Sequence, residues 1–136
     1  MSNLFSYLGI AGIWVGFLSL TLLFFYYCVN RKRYEKIIRI YYDKGFLFPV
    51  PYHFHSLMGF FGSFTLVYYF TCIKRKKKPL LMFYKNREVY DFFDTVPDNL
   101  SKWMKVYYRI TLFTLACIAF TFLMVLMKYI SLNLTN

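Results

Sequence analysis

The sequence predicts an all-α membrane protein with two transmembrane helices and a third apolar helix that is re-entrant, interfacial or fully spanning. Three observations carry this prediction. Apolar stretches cover residues 4–29 and 106–130, neither has a charged residue at its centre, and most of the positive charge lies between them. Each stretch exceeds the roughly 20 residues that cross a hydrocarbon layer about 30 Å thick.

The composition favours lipid as the medium around the chain. The 136 residues are 59% hydrophobic and 24% aromatic, and the net charge is +11. Soluble domains are closer to half apolar. A strongly basic chain is suited to nucleic acid or to an anionic membrane surface. Because no nucleic-acid motif accompanies the basic runs, the lipid bilayer is the expected partner and nucleic acid is not.

The first transmembrane helix is predicted over 4–29 and is followed directly by a basic cluster at 31–33. This apolar run is longer than the 7–15 residues of a signal peptide, and no basic residue precedes it, so it should remain as an anchor. Residues 30–52 form a basic amphipathic cytoplasmic segment. Its helix should end near Gly45, since glycine suits the left-handed position after a helix.

A third apolar helix is predicted over 54–73, directly before the second basic cluster at 74–78. Three full spans would put the clusters at 31–33 and 74–78 on opposite sides of the membrane, against the positive-inside rule. A segment that enters and leaves on one face keeps both clusters cytoplasmic and both termini external. We therefore favour two spans over three, with Gly59 and Gly62 as points where the helix can bend.

The backbone of a re-entrant segment must be shielded from lipid, because backbone at membrane depth must be buried in protein or line a cavity. The segment would otherwise lie flat in the interface or depend on a partner or a second copy.

Residues 74–105 form a basic and aromatic cytoplasmic segment before the last transmembrane helix at 106–130. The basic side chains predicted to lie at the membrane surface are Arg31, Lys32, Arg33, Lys74, Arg75, Lys76, Lys77 and Lys78.

Small residues form a stripe along one face of each predicted span, at steps of three and four residues. Such residues let two helices approach closely enough for dispersion to hold them together in lipid. We expect the two faces to meet, either within one chain or between two copies of a homo-oligomer. The predicted helix-packing residues are Gly9, Gly12, Gly16 and Ser19 in the first span and Thr111, Thr114, Cys117 and Thr121 in the last.

No constellation of residues predicts catalysis, a cofactor or a metal centre, since no nucleophile stands in a recognised setting and no glycine loop suits a phosphate. His53 and His55 share a face only if their segment is extended, and no carboxylate or cysteine is close by in sequence. A loop or interfacial role is favoured for both. Asp91, Asp94 and Asp98 should offset the neighbouring basic charge and begin the next helix.

The stretch Arg109-Ile110-Thr111-Leu112-Phe113-Thr114-Leu115-Ala116-Cys117 leads from a basic residue into the last span. Together with a span near each end and a basic, aromatic middle, it resembles universal stress protein B, a small bacterial inner-membrane protein. The third apolar segment departs from that pattern. Size, basicity and aromatic content are also similar to those of small immunity proteins, which block a pore-forming toxin in the inner membrane.

These resemblances imply a non-enzymatic bacterial inner-membrane protein that works by binding another membrane protein, and toxin immunity is the most concrete version. A stress-linked accessory subunit of a membrane complex is one alternative, in which the partner is a subunit of that complex. A small oligomeric channel or holin-like pore is another, although no acidic residue lies inside the predicted spans to mark an ion pathway.

Overall fold

Helices make up all the regular structure in the part of the chain that the computed structural model describes, residues 2–80 and 87–134. In chain order they are α1 (Ser2–Asp43), α2 (Val50–Leu57), α3 (Phe60–Lys74), a 3-10 helix (Arg87–Asp94) and α4 (Asp98–Leu134). Within these described residues, α1 and α4 are the two helices that are long and apolar enough to cross a membrane. The predicted all-α class and the two long apolar helices are therefore confirmed.

Helix α1 does not stop after the first apolar stretch but continues through the basic cluster as one helix of 42 residues. Arginine, lysine and glutamate are good helix formers, and no glycine or proline lies between Gly16 and Gly45 to interrupt them. Arg31 and Glu35 also pair across one turn, with Nε and Oε1 2.7 Å apart. The predicted segments 4–29 and 30–52 thus share a single helix as far as Asp43.

Gly45 ends this helix in a Schellman motif. Its φ is +77°, its amide donates to the carbonyl of Tyr42 at 2.8 Å, and the amide of Phe46 donates to the carbonyl of Tyr41 at 3.3 Å. The rings of Phe46 and Tyr41 lie 5.4 Å apart, which supplies the hydrophobic contact that accompanies this motif. The predicted helix end at Gly45 is confirmed.

The chain divides into two compact units. One, which we name the helix pair, contains Met1–Phe24 and Arg109–Asn136, and the other, the aromatic unit, contains Phe25–Tyr108. The predicted last span at 106–130 lies within α4, whose first turn carries Asp98. Residues 81–86, which belong to the predicted cytoplasmic segment 74–105, lie outside the described residues.

The predicted third helix over 54–73 is instead two helices, α2 and α3, that meet at Met58 and Gly59. Gly59 has a φ of +57°, a value that glycine adopts without strain. A side chain on Gly62 would collide with the backbone carbonyl of His55 in α2. The break at Gly59 and the close approach at Gly62 fold α2 back against α3.

Helix α3 is the core of the aromatic unit. Leu66, Val67, Tyr69, Phe70 and Ile73 are all fully buried. At 15 residues, the helix is about 22 Å long, which is shorter than the hydrocarbon layer. A helix that is apolar on all sides is buried either in lipid or in protein. Here other parts of the same chain supply the cover.

Candidate functional site

A seam of small residues joins α1 and α4 inside the helix pair. The hydroxyl of Thr114 lies 3.0 Å from that of Ser19 and 2.9 Å from the carbonyl of Ile110. Ser19 in turn donates to the carbonyl of Gly16 at 2.8 Å. Ser19 and Thr114 are buried, at 5% and 4% exposure, so this seam contains a polar contact shielded from the surroundings.

The glycines of α1 face small side chains of α4 at close range. A Cβ on Gly12 would lie 2.5 Å from Oγ1 of Thr121, whereas a Cβ on Gly16 would lie 3.7 Å from Cβ of Cys117. Gly9 faces Met124, with 3.8 Å to its Cβ. These contacts bring the predicted residues Gly9, Gly12, Gly16 and Ser19 of α1 together with Thr114, Cys117 and Thr121 of α4 within one chain. Met124 was missed in the sequence, although it lies seven residues after Cys117 on the same face.

A cleft of about 450 Å³ runs beside this seam and is almost entirely apolar. Gly12, Gly16 and Thr121 line part of it, and aliphatic and aromatic side chains line the rest. The full lining is Gly12, Ile13, Gly16, Phe17, Leu20, Thr114, Ile118, Thr121, Phe122 and Val125. The cleft therefore combines small residues, which permit close approach, with apolar walls.

The outward faces of the helix pair are also apolar and exposed. Trp14 is 63% exposed and Phe122 is 70% exposed. Along the most apolar stretch of α4, only 6% of the residues are buried. Soluble monomers seldom expose contiguous apolar surface beyond a few hundred Å², so these faces are suited to contact with lipid or with another apolar protein.

The aspartates of the middle region pair with the second basic cluster. Nζ of Lys76 lies 3.2 Å from Asp91 and 3.0 Å from Asp94, and Nζ of Lys74 lies 2.9 Å from Asp98. Hydrogen bonds to Asp94 and then Asp91 raise the pKa of Lys76. The expectation that these acids offset the neighbouring positive charge is confirmed.

A network of aromatic side chains, which was not predicted from the sequence, holds the aromatic unit together. Tyr41 stacks on Phe48 at 4.4 Å between ring centroids and contacts Phe92 edge to face at 5.2 Å. Its hydroxyl lies 2.8 Å from that of Tyr69. Burial raises the pKa of Tyr69 far above its usual range, so this hydroxyl pair stays neutral.

The two histidines make local contacts at α2. Nδ1 of His53 lies 3.2 Å from the hydroxyl of Tyr42, and Nδ1 of His55 lies 2.5 Å from the carbonyl of Pro51. Across residues 2–80 and 87–134, no three side chains of His, Cys, Asp or Glu are grouped so that they could hold a metal ion.

Comparison with protein-family models, with curated proteins and with solved structures finds no match to this chain. The resemblances to universal stress protein B and to immunity proteins stay predictions. The contacts of the seam, the cleft and the aromatic unit are the observations on which a function can be argued.

Proposed function

We propose that the protein is embedded in a bacterial inner membrane, with the helix pair across the bilayer and the aromatic unit in the cytoplasm. Both basic clusters belong to the aromatic unit. A bilayer cannot pass through the middle of a compact unit with a packed core, so both clusters would share one side. The positive-inside rule makes that side the cytoplasm, and both termini are then external.

Within this arrangement, we propose a non-enzymatic function in which the cleft of the helix pair binds one transmembrane helix of another membrane protein. The observation that carries this proposal is the cleft itself, where Gly12 and Gly16 lie between apolar walls. Gly12 and Gly16 already pack against α4, so the apolar walls around them would supply the contact with a third helix, and dispersion favours such association in lipid. An apolar helix is therefore the occupant that this surface fits best.

Toxin immunity is the most concrete version of this function. A pore-forming toxin must insert apolar helices into the inner membrane, and a cleft that captures one of them would prevent the pore from assembling. The protein would act by binding alone. The polar side chains of the seam, Ser19 and Thr114, hydrogen-bond to each other within the chain. The cleft beside them is therefore free to bind a partner.

A matched pair of substitutions tests this function. Ile118 and Leu115 are both 56% exposed, but Ile118 lines the cleft and Leu115 does not. Cells that produce the protein are challenged with a panel of toxins that form pores in the inner membrane. We expect protection against one toxin, loss of that protection with Ile118→Trp, and retention with Leu115→Trp. Equal effects of the two variants would contradict binding in the cleft.

Crosslinking identifies the partner. A photoreactive amino acid at Leu20, which lines the cleft, should capture the toxin helix, whereas the same group at Leu22, outside the cleft, should not. Capture of the subunits of a resident membrane complex without any protection would favour an accessory subunit. Loss of membrane potential on overproduction alone would favour an oligomeric pore and overturn the immunity function.

A further inference from the structure

A cavity of about 400 Å³ lies in the aromatic unit, between the end of α3 and the beginning of α4. This volume is within the range of small-ligand sites, about 300–1,000 Å³. Thr71 and Lys74 of α3, with Arg75 directly after it, line one side, and Ser101, Lys102, Met104 and Lys105 of α4 line the other. Four of the seven lining residues are cationic and two carry hydroxyl groups, but most of the exposed lining surface is apolar, so the cavity sets basic groups beside apolar side-chain surface.

Positive charge dominates this cavity. Of its four cationic side chains, Lys74 is engaged, with Nζ 2.9 Å from Asp98 and 2.7 Å from the hydroxyl of Ser101. Arg75, Lys102 and Lys105 have no carboxylate within 4.0 Å among the described residues. Asp98 partly offsets Lys102 as well, since the pKa of its carboxyl is lowered first by Lys74 and then by Lys102, which leaves Arg75 and Lys105 as the cavity's unpaired cations among the described residues.

Hydroxyl groups add to this lining. Ser101 is buried at 3% exposure. The hydroxyl oxygen of Thr71 is also buried and has no hydrogen-bond partner among the described residues. The oxygen of Thr71 is closed off from solvent, so an oxygen-rich anion in the cavity would balance the cations without reaching this hydroxyl.

We propose that this cavity binds a phosphate group, with the headgroup of an anionic lipid as its source. The lipid source rests on the proposed membrane arrangement. Lys105 directly precedes the apolar run at 106–130, and Ser101 lies about 6 Å further out along α4. The headgroup layer is about 5–7 Å thick on each side of the hydrocarbon. Basic pockets at this depth on the cytoplasmic side are suited to anionic headgroups.

The test measures binding to the whole protein in detergent. Phosphatidylglycerol, phosphatidylcholine and lipid-free pyrophosphate are each titrated, with native mass spectrometry for the lipids and calorimetry for pyrophosphate. We expect phosphatidylglycerol to bind more tightly than phosphatidylcholine. The triple variant Arg75→Gln, Lys102→Gln, Lys105→Gln should lose about fivefold in affinity per cation, or about a hundredfold in all.

The control variant Lys36→Gln, Lys77→Gln, Lys78→Gln removes the same charge from exposed positions outside the cavity. It should lose much less affinity. Equal losses in the two variants, or no binding by any of the three ligands, would overturn the proposal. Binding of pyrophosphate alone, lost in the cavity variant, would keep the phosphate site and overturn the lipid as its source.

Alkaline carbonate extraction tests the proposed membrane arrangement by itself. If alkaline carbonate releases the protein from membranes, the proposed membrane function fails. The pyrophosphate titration then still decides whether the cavity binds phosphate.

Discussion

One methyl group at Gly12 would disturb the seam between α1 and α4, whereas the same group at Gly16 would not. The new Cβ would lie 2.5 Å from Oγ1 of Thr121 at the first position and 3.7 Å from Cβ of Cys117 at the second. The hydroxyl of Thr121 is also held by the carbonyl of Cys117 at 2.9 Å. It cannot turn away from the new methyl group without losing that bond.

The expected magnitude follows from this difference. Overpacking a well-packed site costs about 1–3 kcal/mol. Replacing glycine by alanine in a helix also gains about 1 kcal/mol of intrinsic propensity, but the gain is the same for both variants. The difference between Gly12→Ala and Gly16→Ala therefore isolates the clash, and we expect Gly12→Ala to be less stable by about 1–3 kcal/mol.

The assay is reversible unfolding of the purified protein in mixed micelles, followed by circular dichroism as the denaturing detergent is increased. Thr121→Ala removes the clashing oxygen and should restore the Gly12→Ala variant. Thr121→Val keeps a group of similar size at that place and should not restore it. Equal stabilities for Gly12→Ala and Gly16→Ala would refute the seam geometry.

Three further predictions concern the seam and the aromatic unit. Gly16→Cys should form an intrachain disulfide with Cys117, because the 3.7 Å between the two Cβ positions suits a disulfide. The other two cysteines are replaced by serine, and a disulfide-linked dimer on a non-reducing gel would contradict pairing within one chain. Gly62→Ala should destabilise the protein by about 3 kcal/mol in the same unfolding assay, because its methyl group meets the backbone of His55, and an unchanged midpoint would contradict that packing. Burial raises the pKa of Tyr52 to about 12 from about 10 when unfolded, so its contribution to stability is constant below pH 10 and falls between pH 10 and 12. The absorbance at 295 nm should show tyrosine ionisation near pH 12, to which Tyr41 also contributes because burial raises its pKa to about 12. Tyr52→Phe should reduce the amplitude of this ionisation, and an unchanged amplitude would contradict the burial.

The sequence allowed the all-α class, the two long apolar helices and the residues of the seam to be predicted, because each depends on local periodicity. It did not distinguish a third membrane segment from α3. A helix that is apolar on all sides has the same pattern in lipid and in a protein core. Only contacts between distant residues separate the two, such as the hydroxyl pair of Tyr41 and Tyr69, which are 28 residues apart.

The basic cavity was hidden for a similar reason. The lysine run was predicted as a membrane-surface anchor, and Lys102 and Lys105, in the same predicted segment 74–105, were given no role. Their shared role depends on where α3 ends. The amides of Lys76 and Lys77 donate to the carbonyls of Ile73 and Cys72 at 2.8 and 2.9 Å, and Lys76 has a φ of +53°. This left-handed turn stops α3 beside the first turns of α4.

The burial of α3 agrees with the proposed two-span topology. A re-entrant segment in so small a chain would have required cover from a partner or a second copy, whereas α3 is covered by its own chain. Single cysteines at Lys36, Lys78 and Leu132, in a chain without its native cysteines, test the consequence. A membrane-impermeant maleimide should label the cysteine at Leu132 in cells with a permeabilised outer membrane, and the other two only after lysis. Labelling at Lys78 with Lys36 protected would mean that the aromatic unit does not keep both basic clusters on one side, and labelling at both before lysis would mean that the positive-inside rule fails here.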